Sequence, residues 1–292
     1  MSTQTTFTLV DAKNGNLAFK IFMFEDNSCF DHIQRNNYYS LIWFTHGSGK
    51  IKADFSEYPV AENSLFAFSP YQPFMLSGNQ PVGGIVLQFH PDFFCIHKHQ
   101  SEVACNGILF NNIYSPPFIH IDETAGANLQ MLITQMKTEL QDPKLAQYDI
   151  LISYLKIFLI TTSRLKTEQQ PEILESLTGS NGPQILQHLK NAIEKNFKTK
   201  HTASDYAKML NISTTALAKI TKTHFNKTLT NLISERIIIE AKRELYLSNK
   251  TIKEIAYELG YEDEFYFSRF FKTNADISPQ MYRNSVGFAR AV

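Results

Sequence analysis

Cysteine is scarce in this chain: Cys29, Cys95 and Cys105 are an odd count with no close pair. That sets aside a disulfide-stapled secreted fold and suits a reducing compartment. Long apolar runs are missing too. The greasiest stretch, ILISYLKIFLI, carries Lys156 and falls well short of the roughly 20 residues that span a bilayer, so no membrane partner is expected. The opening MSTQTTFTLVDAKNG has neither a basic start nor an apolar run. A secretory leader is therefore not expected, and a cytoplasmic location is. Net charge is also absent, with 28 Lys and Arg against 28 Asp and Glu. What the chain does have is length: 292 residues allow two domains, each with its own core.

The zero net charge hides two halves of opposite sign. From Asn181 onward there are 17 Lys and Arg against 11 Asp and Glu, a net of +6, and the first 180 residues carry the balancing −6. A basic half suits a polyanion, though an excess this modest corroborates and does not decide.

The basic half repeats itself. HTASDYAKMLNISTTALAKITKTHFNKTL returns 49 to 50 positions later as TIKEIAYELGYEDEFYFSRFFKTNADIS, and such a repeat is normally one supersecondary unit. Each copy reads as helix, tight turn, helix. Thr202 and Asp205, then Thr251 and Glu254, stand where a capping box belongs. Tyr206, Ala207 and Leu210 share one face of the first helix, as do Ile255, Ala256 and Leu259 in the second copy. Asn211 and Gly260 suit the left-handed residue that ends a helix, and Ser213 and Asp263 suit the N-cap of the next one. Small Ala207 and Ala256 fit a close helix crossing. The pattern is a helix-turn-helix, given twice.

Such units also occur in plain helical interaction domains, and the outward faces discriminate. With Leu217 and Ile220 inward, the first copy leaves Thr214, Thr215, Ala218, Lys219 and Lys222 outside. With Phe267 and Phe271 inward, and Phe270 beside them, the second leaves Glu264, Phe265, Ser268, Arg269 and Lys272 outside. Short polar residues next to Arg or Lys suit a major-groove reader of double-stranded DNA. The acids Glu262, Asp263 and Glu264 run against this, but at a helix N-terminus they also cap. Between the copies, LTNLISERIIIEAKRELYL (229–247) places Leu232, Ile233, Ile237, Ala241 and Leu245 at helical intervals. Its 19 residues span about 28 Å, enough to hold two recognition helices roughly one DNA turn, about 34 Å, apart.

At these residues the sequence resembles the AraC/XylS family of bacterial transcription regulators. The resemblance runs from about Gln184 to Arg283 and rests on IKEIAYELGY, FSRFFK and SPQMYR. It implies two helix-turn-helix units on tandem half-sites, with base contacts at Thr215, Ala218 and Lys219 in one copy and near Phe265, Ser268 and Arg269 in the other. Arg236 and Arg243 on the intervening helix serve either DNA or a structural salt bridge. Ser278 and Pro279 match the usual cap and first-turn proline of the last helix. Two features depart from the family pattern. The glycine expected after each recognition helix is Asn226 in one copy and Asp276 in the other, both tolerant of the left-handed conformation. The phenylalanine usual in the first recognition helix is Thr221, so that copy is expected to pack less well.

The first half reads differently. Residues 17–90 hold short β-rich runs broken by Pro70, Pro73 and Pro81, a rhythm that suggests a small barrel or jelly roll. YYSLIWFTHGSGKIKADF reads as a hairpin around Gly47-Ser48-Gly49. The family resemblance makes this region a cupin-like, effector-binding barrel. An enzymatic cupin needs about three His and a carboxylate converging on one metal. Here His32 is followed by Gln34, and Tyr71, Gln72, Pro73 and Phe74 stand where a later ligand would come. No enzyme, metal or cofactor is expected; the alternative is a cupin-type metal-binding sensor or enzyme fused to the DNA-binding half. Cys95, His97, His99 and Cys105 are zinc-compatible types in a spacing that fits no familiar zinc motif, and surface histidines with buried thiols account for them as well. Trp43, Phe66, Phe68 and Phe74 are either ordinary core or the lining of a small apolar effector pocket.

Helices are expected over 124–141 and 145–166, broken at Asp142-Pro143. The second is apolar widely around its circumference, at Leu151, Ile152, Leu155, Phe158, Leu159 and Leu165. Packing on the barrel accounts for that, and so does a homodimer interface, which the resemblance favours. The organisation read from sequence is an α+β chain: an effector-binding and dimerisation domain over 1–166, a polar linker over 167–183, and an all-α DNA-binding domain over 184–292. Expected partners are double-stranded DNA, a small-molecule effector, a second copy of the chain and the transcription machinery.

Overall fold

The stretch YSLIWFTH offers no polar face, which is the mark of a strand covered on both sides. In the computed structural model, which describes residues 6–11, 15–34, 36–54, 56–78, 80–96, 108–110, 112–170 and 184–286, it is strand β3 (Tyr39–His46). It lies inside an antiparallel sheet whose order is β1 (Thr6–Val10), β2 (Leu17–Phe24), β8 (Gly83–Phe89), β3, β6 (Ser64–Phe68), β9 (Phe118–His120). A second sheet has the order β5 (Ser56–Val60), β4 (Gly49–Ala53), β7 (Phe74–Ser77). Alternation divides the large sheet's side chains between two cores. Phe22, Ile42, Phe44, Phe66 and Phe68 join Ile51, Phe74 and Leu76 of the small sheet. Phe19, Leu41, Trp43, Leu65 and Leu87 pack instead under helices α1 (Glu123–Gln141) and α2 (Gln147–Gln169), against Leu129, Ile133, Met136, Leu155 and Phe158.

Three expectations change here. The strands form two sheets and no closed barrel among the described residues, because the helices cover one face of the large sheet and the small sheet covers the other. Strands β3 and β4 are not hairpin partners: β3 pairs with β6 and β8, and β4 with β7. Gly47 turns the chain from one sheet into the other with φ +85°, and a Cβ there would stand 2.5 Å from the Pro81 carbonyl oxygen, so only glycine fits. The four effector candidates do not converge. Phe66, Phe68 and Phe74 lie together between the sheets, with Phe68 stacked on Phe74 at 4.1 Å. Trp43 is on the opposite face, beneath Gly126 of α1. Its buried indole N–H has no acceptor within reach among the described residues.

The helix break falls where Pro143 removes a donor, with the Asp142 amide closing α1 on the Thr138 carbonyl at 3.0 Å. Helix α2 continues to Gln169, so the first three residues of the expected linker are helical; 171–183 lie outside the described residues. Leu151, Leu155, Phe158 and Leu159 are buried in this unit's own core, while Ile150 and Ile157 remain exposed.

The chain forms two compact units, one of Met1–Ala53, Glu57–Asn111 and Pro117–Gln169, the other of Asp54–Ser56, Asn112–Pro116 and Gln170–Val292. The second is helical: α3 (Gln184–Asn196), α4 (Ala203–Met209), α5 (Thr214–Phe225), α6 (Leu229–Leu247), α7 (Ile252–Glu258), α8 (Glu264–Ala275) and α9 (Pro279–Val286). Helix α6 has the expected bounds, and Leu232, Ile233, Ile237, Ala241 and Leu245 are all buried. The short segment Asn112–Pro116 belongs to this unit. The Tyr114 hydroxyl donates to Glu194 at 3.0 Å, and the Lys227 ammonium donates to the Asn112 and Ile113 carbonyls at 3.3 and 3.4 Å while pairing with Glu235 at 2.8 Å.

Candidate nucleic-acid interface

Each helix-turn-helix is set by local chemistry. Thr202 caps α4 by accepting from the Asp205 amide, and Ser213 caps α5 by accepting from the Ala216 amide at 3.1 Å. In the second copy Thr251 accepts from the Glu254 amide at 3.2 Å while Glu254 accepts from the Thr251 amide at 2.7 Å. This is the complete capping box. Asp205, one methylene shorter, reaches the Thr202 hydroxyl at 2.7 Å instead. The Asp263 carboxylate accepts from the Phe265 and Tyr266 amides at 2.9 and 3.2 Å, so one of the three opposing acids is engaged in capping α8. Both turns pass through left-handed residues, Asn211 and Gly260, and both recognition helices close on left-handed Asn226 and Asp276. At Gly260 the Lys198 carbonyl oxygen occupies the space where a Cβ would sit.

These caps aim two surfaces outward. On α5, Thr214, Thr215, Ala218, Lys219 and Lys222 are all exposed, with Leu217 buried and Ile220 half-buried. Thr221 is also buried, its hydroxyl satisfied by the Ala218 carbonyl at 3.1 Å. On α8, Phe265, Arg269 and Lys272 are exposed and Glu264 and Ser268 half-buried, above a core of Phe267 and Phe271. All ten expected contact residues therefore lie on two solvent-facing helix surfaces, five on each. Sequence reading missed Tyr266, 58% exposed, whose ring centroid lies 6.0 Å from the Arg269 guanidinium carbon. The three-residue spacing of Tyr266 and Arg269 on one helix was the available signal.

Several other cations of this unit are used internally. Arg236 donates to Glu194 at 2.8 Å and to Glu240 at 3.1 Å, and its guanidinium lies 4.0 Å from the Phe197 ring centroid, so it is structural. Burial works against its charge, but the two carboxylates outweigh burial and raise its pKa. Burial likewise pushes Glu240 up, yet Arg236, Arg243 and Lys198 together hold its carboxyl below the ordinary value. Arg243 is half-exposed beside Glu240 at 3.6 Å. Lys250 joins Glu244 at 2.9 Å to Glu258 at 2.6 Å. Arg283 of the SPQMYR run donates to the Leu245 and Lys250 carbonyls, tying α9 to the end of α6, and Ser278 caps α9 by accepting from the Met281 amide.

Among the described residues no group of three or more His, Cys, Asp or Glu is placed to hold a metal ion, and no helix is long and apolar enough to cross a membrane. Cys95 is buried; His97, His99 and Cys105 lie outside the described residues.

A family model described as a helix-turn-helix domain matches residues 206–285. The chain is 36% identical over 95 residues to the raffinose operon transcriptional regulatory protein RafR of Pediococcus pentosaceus, covering 32% of this chain and 34% of that protein. It is 27% identical over 258 residues to the HTH-type transcriptional activator Btr of Bacillus subtilis (strain 168), covering 85% of this chain and 44% of Btr. The chain thus spans about a third of the length of the first relative and under half of the second. Among solved structures, ToxT of Vibrio cholerae O395 aligns over 97% of both chains at 14% identity, with a TM-score of 0.41.

Proposed function

Because residues 206–285 form an AraC-type helix-turn-helix domain, we propose that the chain is a sequence-specific transcription regulator that reads two adjacent major grooves with α5 and α8. The observation that carries this is the pairing of two equivalently capped helices, each presenting short polar or basic side chains to solvent. Arg269 is the residue suited to grip guanine bidentately; Thr214, Thr215, Ser268 and the lysines suit bases and phosphates. The test is selection of genomic fragments by the full-length chain at a stated salt concentration. Enriched fragments should share two short elements about one helical turn apart, and the absence of any enriched sequence overturns the reading. On a selected site, Arg269→Ala should weaken binding by about 1–3 kcal/mol; unchanged affinity would remove Arg269 from the base-contacting set.

In this reading the β-rich unit is the sensory half, a cupin-like jelly roll in its two-sheet layering; its α2 ends at Gln169, a linker runs from there to 183, and 184–292 is the DNA reader of a cytoplasmic regulator that meets the transcription machinery. Trp43 is the effector candidate we favour, since its buried indole N–H has a hydrogen bond to give. It is also the chain's single tryptophan, so its fluorescence reports ligand occupancy without a label. A homodimer through α2 is supported by exposed Ile150 and Ile157, seven residues apart on one face, two helical turns. Sedimentation that finds only monomer at micromolar concentration would remove the dimer.

A further inference from the structure

The two reading surfaces differ in chemistry at one matched position. Shifted by the repeat offset of 50, Thr215 of α5 corresponds to Phe265 of α8. The Phe265 ring is 72% exposed in the first turn of α8, and it stands four residues before Arg269 on the same side of the helix. Nothing in the fold of this unit requires that ring: the core below it is made by Phe267 and Phe271, both fully buried.

Only one apolar group on the major-groove edge of a base pair projects far enough to meet an aromatic side chain, the C5-methyl of thymine. Cytosine offers only a flat C5–H at that position, and the remaining edge atoms are donors and acceptors that a phenyl ring would strip of water without replacing its bonds. We infer that Phe265 makes the α8 half-site specific for a thymine methyl, close to the guanine held by Arg269. Four residues along a helix rise about 6 Å, so thymine and guanine lie within about two base steps of each other. The inference rests on the reading of α8 as a major-groove helix and deepens it by naming what the helix recognises. Thr215 in the other copy keeps a hydroxyl beside its methyl, so no strict thymine requirement is expected there.

Deoxyuridine removes the methyl and leaves every hydrogen-bonding group of thymine in place. In a selected site, each thymine of the α8 half-site is replaced by deoxyuridine in turn, and binding of the full-length chain is measured. One replacement should weaken binding by about four-fold, the effect of one buried methyl. In Phe265→Ala, whose side chain is exposed and whose unfolding midpoint should match the parent, that same replacement should have no further effect. Parent protein that binds every uracil-substituted duplex as tightly as its thymine counterpart overturns the inference and leaves the major-groove reading standing. A uracil penalty that persists unchanged in Phe265→Ala assigns the methyl to another residue and overturns it too. A chain that enriches no DNA sequence at all overturns both.

Discussion

Arg236→Ala is expected to destabilise the helical unit by about 3–5 kcal/mol, the range for removing one partner of a buried ion pair. Arg236 is only 15% exposed and Glu240 only 8%. Without the guanidinium, Glu240 keeps only Arg243 at 3.6 Å and Lys198 at 3.8 Å, both on more exposed side chains, and Phe197 loses the cation lying on its ring. The measurement is urea unfolding of the full chain followed by far-ultraviolet ellipticity and by tryptophan fluorescence. The sole tryptophan, Trp43, lies in the other unit, so the ellipticity should lose an early component while the fluorescence midpoint stays. The pH dependence gives a second readout. Glu240 sits below its ordinary pKa in the folded state, so its contribution is fully present above its unfolded value and is lost as pH falls through the folded one. With Arg236 gone the folded pKa rises, and acid unfolding should begin at a higher pH. A shift under about 1 kcal/mol with an unmoved acid limb would mean that the network is no more than a surface one.

Phe271→Ala should have a comparable effect, about 3–5 kcal/mol for emptying a buried phenylalanine site. Its ring packs against Phe267 at 6.1 Å and Tyr282 at 5.8 Å between centroids, so the variant should lose the register of α8 over α9 and, with it, specific DNA binding. The equivalent position of the first copy is Thr221, where Ala removes a methyl and a hydroxyl bonded only to its own helix. That change should destabilise by about 1 kcal/mol. Thermal denaturation of the two variants side by side separates them. Equal losses would show that the two copies do not differ in packing, against the contrast between an aromatic stack and a single threonine.

The two recognition helices were legible because every signal was local. Caps at Ser213 and Asp263, left-handed stops at Asn226 and Asp276, and an apolar stripe over 229–247 each depend on neighbours a few residues away, and each stands where the sequence put it. The β-rich half was legible only as rhythm. Strand positions followed from β-branched and aromatic runs, but pairing is a long-range choice, and Gly47 reads alike in a hairpin and in a corner between two sheets. Trp43 and Phe66 look alike in sequence as aromatics of neighbouring strands, yet β3 pairs Trp43 with Leu65 and Ile42 with Phe66, and a one-residue offset in register sends the two rings to opposite faces. The role of Arg236 was open for a similar reason: its partner Glu194 lies 42 positions away on another helix.

The internal use of cations has a consequence for how DNA would be held. Lys227, Arg236, Lys250 and Arg283 are bonded within the unit, and Lys242 is buried, its ammonium pushed down by burial to about 8. The reading surfaces keep Lys219, Lys222, Arg269 and Lys272. If these four alone neutralise one phosphate each, with the exposed Lys195, Lys200, Lys208 and Lys253 clear of the DNA, the counterions they displace set a log–log slope of affinity against salt of about −4. That is a shallow dependence for a double-headed reader. Raising ionic strength would erode the bound state gently, and selectivity would rest on which base edges the two helices find.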